Sequence, residues 1–110
     1  MTENTELQDY AELVLNNITK VSGANCFKIS DKIELKKDGG GYDLKSFWLI
    51  YFKAALDRSM EKEGVERLKY LLHAKETSRC LQELETANIN KKMLVDDWIL
   101  SIRREVMSLG

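Results

Sequence analysis

Proline is absent from this chain, histidine occurs once, at His73, and cysteine twice, at Cys26 and Cys80. Each scarcity excludes something. Without proline, no residue interrupts a helix by lacking its amide, which fits a helix-rich fold. Two cysteines are too few for a disulfide framework, so reduced thiols in a cytoplasmic protein are the plain reading. One histidine and two cysteines far apart in sequence cannot assemble a structural zinc set. Charge of one sign is missing too. Seventeen Lys and Arg face eighteen Asp and Glu, a formal net charge of −1, which removes the bulk electrostatic attraction for nucleic acid. The longest apolar run, Phe47 to Phe52, falls well short of the roughly 20 residues of a membrane span. The acidic start, Met1 to Glu12, has no apolar signal core. These absences lead to one cytoplasmic domain over residues 1–110, with no cofactor, no bound metal and no membrane association.

What is present is mostly helical periodicity. Leu7, Tyr10, Ala11, Val14, Ile18 and Val21 recur at three- and four-residue steps, the mark of an amphipathic helix. Thr5-Glu6-Leu7-Gln8 has the form of a capping box at its start, and Gly23 can end it. The period then changes. Phe27, Ile29, Asp31, Ile33 and Leu35 alternate with Lys28, Ser30, Lys32 and Glu34, as on a half-buried strand. A three-residue loop, Ser30 to Lys32, would pair Ile29 with Ile33 and Phe27 with Leu35 in an antiparallel hairpin. Alternatively, the chain turns at Asp38-Gly39-Gly40-Gly41 and pairs with Tyr42 to Leu44.

Asp43 can cap a helix reaching about Met60, whose apolar face is wide enough to mark it as the central one. Residues 65–86 are helical by propensity, but the apolar face shifts from Val65, Leu68, Leu71 and Leu72 to Cys80, Leu81 and Leu84. The polar run Lys75 to Ser78 between them predicts a bend or break there, with Thr77 or Ser78 as a new cap. Asn88 or Asn90 opens a final helix carrying Leu94, Val95, Trp98, Ile102, Val106 and Leu109. The expected fold is mainly α: four to five helices packed as a small bundle, with a short antiparallel β-ribbon at about residues 26–38 after the first helix. Its core should draw on Tyr10, Val14, Ile18, Phe27, Ile29, Phe47, Trp48, Tyr51, Leu68, Leu72, Leu84, Trp98 and Ile102.

No motif carries an evident chemistry. Gly39-Gly40-Gly41-Tyr42-Asp43-Leu44-Lys45-Ser46 resembles a phosphate-binding loop in length and in its final Lys-Ser, but Leu44 stands where the second glycine is required. Asp43 also puts a carboxylate where a helix N-terminus would otherwise attract an anion. His73 and Cys80, seven residues apart, would lie about 10 Å apart along a straight helix, too far for a thiol–base pair without a break between them, though Cys26 could meet His73 through the fold. Asp96-Asp97 is the tightest acidic pair, and a solvated face explains it better than a divalent ion.

Elimination leaves a non-enzymatic protein–protein interaction module, such as a regulatory subunit, adaptor or inhibitor, working as a homodimer. Trp98, Ile102, Val106 and Leu109 on the last helix are its candidate interface. The alternative is a nucleic-acid accessory protein contacting phosphate through the lysine face of the ribbon: Lys28, Lys32, Lys36 and Lys37, with Lys45 nearby.

Overall fold

A computed structural model describes residues 2–18, 33–34, 42–86 and 90–109. Four helices account for nearly all of them: α1 (Thr2–Asn17), α2 (Leu44–Met60), α3 (Gly64–Leu84) and α4 (Lys91–Leu109). The mainly helical expectation holds. The ribbon is a different matter, since residues 26–38 lie outside the described residues except for 33 and 34. There β1 (Ile33–Glu34) runs parallel to β2 (Tyr42–Asp43), Ile33 opposite Tyr42 and Glu34 opposite Asp43. That direction corrects the antiparallel pairing with Tyr42 to Leu44. Parallel strands of a true sheet need a crossover of about a dozen residues, and only residues 35–41 separate these two. Among the described residues the pairing is a two-residue bridge at the entry to α2.

Helix starts follow side-chain chemistry. Asp43 accepts from the Ser46 amide at 3.0 Å and its hydroxyl at 3.1 Å, satisfying a free donor of the first turn as its sequence position suggests. Asn90 does the same for α4, its Oδ1 accepting from the Met93 amide at 3.1 Å. The Thr5 capping box does not form the start of α1, which begins at Thr2. Between α2 and α3 the chain reverses through Gly64 at φ 63°, a left-handed conformation that costs glycine no Cβ clash.

Helix α2 is central, packing against both α1 and α3, while α4 lies on α3. It contributes Leu44, Phe47, Trp48, Tyr51 and Ala55 to the core. Trp98 of α4 meets three of its rings, Tyr51 at 4.9 Å, Trp48 at 5.7 Å and Phe47 at 5.9 Å between centroids. Two of those contacts are edge-on, an orientation that aligns ring quadrupoles favourably. Val14 and Ile18 close the core from α1, and Ile102 from α4; Tyr10, Leu72 and Leu84 are half-buried at its margin. Phe27 and Ile29 lie outside the described residues.

Two expectations for the third helical segment are corrected. Helix α3 runs unbroken through 21 residues, so no cap forms at Thr77 or Ser78. Thr77 is fully buried, its hydroxyl donating to the His73 carbonyl one turn back at 2.7 Å, which lets a polar residue sit mid-helix without ending it. The second is Leu68, expected in the core but 49% exposed. The inward face of α3 is instead lined by His73, Ala74, Thr77 and Cys80, small or polar residues that a hydrophobic pattern passes over.

Candidate functional site

Polar side chains that could do chemistry gather along the inner side of α3. His73 Nδ1 lies 2.8 Å from the Tyr51 hydroxyl, and its ring is only 3% exposed. Burial depresses its pKa to about 4, so the imidazole is neutral at pH 7 and Nδ1 can accept the phenolic proton. Thr77, one turn further on, accepts from Trp98 Nε1 at 2.9 Å while donating to the His73 carbonyl. The chain Tyr51–His73–Thr77–Trp98 thereby pairs the Tyr51 hydroxyl, the Thr77 hydroxyl and the Trp98 indole N–H inside the bundle, as a well-packed interior demands. It joins α2, α3 and α4 through their centre.

Burial of His73 predicts a pH signature in stability. Unfolded His73 takes up a proton near pH 6.5, the folded residue only near pH 4. Between those values the unfolded state binds more protons, so stability falls as pH falls through the window. Below about pH 4 this group causes no further loss. The expected change is on the order of 3 kcal/mol from pH 7 to pH 4. Urea midpoints across that range should decline in the wild type and flatten in His73→Phe. Parallel declines in the two proteins would show that other groups govern the acid response.

A second cluster lies where α3 faces α4. Arg79 donates to Glu76 at 2.9 Å, Glu83 at 3.1 Å and Asp97 at 2.9 Å. Its partial burial opposes the charge, but bonds to Asp97 and Glu76 outweigh that and hold the guanidinium protonated more firmly than usual. Cys80, Glu83 and Asp97 bring donor atoms within 4.8 Å of one another, the one such grouping of metal-ligand side chains found among the described residues. It does not fit an ion. Arg79 already supplies the positive charge between the carboxylates, and burial, opposed by Arg79 and reinforced by the carboxylates, pushes the Cys80 thiol up to about 12. A metal would have to displace the arginine and deprotonate that thiol. The same protonated state makes Cys80 a poor nucleophile. Cys26 lies outside the described residues.

Among the described residues, the surface clefts include a larger and a smaller one. The larger, about 550 Å³, runs between α1 and α2 and mixes Glu12, Lys53, Asp57, Arg58 and Glu61. Its lining carries charges of both signs, with Ile50 and Ala54 as its only apolar residues, rather than the apolar wall that would bury a ligand. The smaller, about 230 Å³, reaches His73 past Tyr70, Lys69 and Glu66.

The residues singled out from sequence are distributed unevenly. Trp98, Ile102 and Val106 are buried core residues, and Leu109 alone of the four is exposed, at 37%. They pack inward and leave the opposite side of α4 as its outer face. Lys45 is exposed and pairs with Glu85 at 3.2 Å, while Lys28, Lys32, Lys36 and Lys37 lie outside the described residues. Of the acidic pair, Asp97 binds Arg79, and Asp96 is half-buried beside it. Sequence reading missed the Arg79 cluster. Glu76, Arg79 and Glu83 do stand at i, i+3 and i+7, the spacing of helical ion pairs, but nothing in that spacing tells that Asp97 completes the set. Set against protein-family models, curated protein sequences and solved structures, the chain matches none of them.

Proposed function

We propose that this chain is a non-enzymatic interaction module that binds another protein, in the manner of a small regulatory subunit, adaptor or inhibitor. One observation carries the reading. The first half of α3 presents Val65, Leu68 and Leu71 at 48%, 49% and 37% exposure, with Met60 at 78% just before it. Apolar residues at three-residue steps form a continuous stripe on a helix, and contiguous apolar surface is the common mark of a docking face. The buried polar groups lend support from the other side. His73, Thr77 and Cys80 are engaged in packing and hydrogen bonds within the bundle, which suits structural work better than turnover. Glu61, Glu63 and Glu66 alternate with Lys62, Arg67 and Lys69 around the stripe, so the occupant it fits best is an amphipathic helix with charges of both signs at its rim.

The test places a photo-crosslinking side chain at Leu68 in the tagged full chain, with the same group at Lys53 as a control. A protein crosslinked at Leu68 but not at Lys53 is identified, purified and titrated against wild type and Leu68→Glu. Binding should weaken at least about tenfold in the variant, with an unchanged unfolding midpoint because Leu68 is not part of the core. No Leu68-specific crosslink, or equal binding by the variant, would refute the reading.

A further inference from the structure

Helix α4 has an outer face whose pattern is antisymmetric about its middle. Met93, Leu100 and Met107 are 68%, 55% and 63% exposed and recur every seven residues, which brings them back to nearly the same side of a helix. Asp96 and Asp97 stand four and three residues before Leu100, Arg103 and Arg104 three and four after it. At 100° per residue, Met93, Asp96, Arg104 and Met107 all fall within about 40° of Leu100. We infer that a second copy of this chain packs on this face, the two α4 helices antiparallel with Leu100 at the two-fold axis.

That arrangement brings residues equidistant from Leu100 to the same level across the interface. Met93 of each copy meets Met107 of the other, and the aspartates of one copy face the arginines of the other. Asp97 and Arg103 have partners within their own chain, Arg79 and the Ile18 carbonyl, so Asp96 and Arg104 carry most of the cross-pairing. A parallel, in-register pair would set aspartate against aspartate and arginine against arginine, which selects the antiparallel form. Isologous contact of this kind closes at two copies. One face of a 19-residue helix covers less than the roughly 800 Å² per partner of a standard stable interface. The dimer is therefore a weak, reversible one. It uses a different face from the α3 stripe, and either can fail without the other.

Sedimentation equilibrium of the full chain from low micromolar to about 0.5 mM covers the range in which a weak dimer forms. The expected result is a mass rising from monomer to dimer, with Leu100→Glu weakening association at least about tenfold while leaving helicity and the unfolding midpoint intact. Asp96→Arg and Arg104→Asp should each weaken the dimer, and the double variant should restore it. A monomer at every concentration overturns the inference. So does a dimer indifferent to Leu100→Glu, which would place the contact elsewhere. Single charge variants that leave association unchanged would exclude the antiparallel pairing.

Discussion

Trp98→Ala should lower the free energy of unfolding by about 3–5 kcal/mol, the range for truncating a large buried aromatic. Trp98 is fully buried and touches Phe47, Trp48 and Tyr51, so its removal opens a cavity at the point where α4 meets the central helix. It also strips Thr77 of its indole donor. A single domain is ordinarily stable by about 5–15 kcal/mol, so the variant approaches the unfolding threshold near physiological temperature. Trp98→Phe keeps one six-membered ring in the core but gives up the rest of the indole together with its N–H, so its loss should be clearly smaller than that of Trp98→Ala but not negligible. Urea denaturation with an unchanged slope measures both. A loss below about 1 kcal/mol for Trp98→Ala would mean that α4 is not docked through this ring.

The second large effect is expected from Arg79→Met, at about 3 kcal/mol. The three carboxylates around Arg79 do not matter equally. Glu83 and Asp97 are 45% and 54% exposed, and ion pairs in water contribute little. Glu76 is 4% exposed, so losing Arg79 leaves a buried carboxylate without its counter-charge. Glu76→Gln in the Arg79→Met background should recover most of the loss, whereas Asp97→Asn should not. That difference, read as a coupling energy in a double-mutant cycle, distinguishes relief of a buried charge from loss of a bridge between α3 and α4. No recovery by either substitution would put the stabilisation in the bridge.

These two side chains also show why sequence reading reached the fold more easily than the working surfaces. The step pattern of Trp98, Ile102 and Val106 announces a buried stripe, and the structure places all three in the core. The same pattern cannot tell a core from an interface, because both are built from apolar residues at helical spacing. Exposure decides it. The inward residues proved to be packing, and the face left outside is the one bearing Met93, Leu100 and Met107. On α3 the pattern misled in both directions, since Leu68 is half in water while Thr77 and Glu76 lie inside. A hydroxyl bonded one turn back and a carboxylate held by arginine carry polar groups into a core that hydrophobicity alone assigns to leucines.

Of this molecule, local chemistry determined the helical class, the start of α2 at Asp43, the opening of α4 at Asn90 and the central place of the most apolar helix. Each of these rests on interactions within a few residues of chain: a cap, a period, a propensity. The scarcity of histidine and cysteine is legible in the same way, because one histidine and two distant cysteines can be counted. Only tertiary structure decided that α3 runs straight through its polar run and that His73 is buried against Tyr51, neutral at pH 7. The same holds for Arg79, which joins two helices through Asp97, eighteen residues away. Those facts depend on which side of one helix meets which side of another. A scarcity can be read from a list of residues, but a partner across the core exists only once the helices have packed.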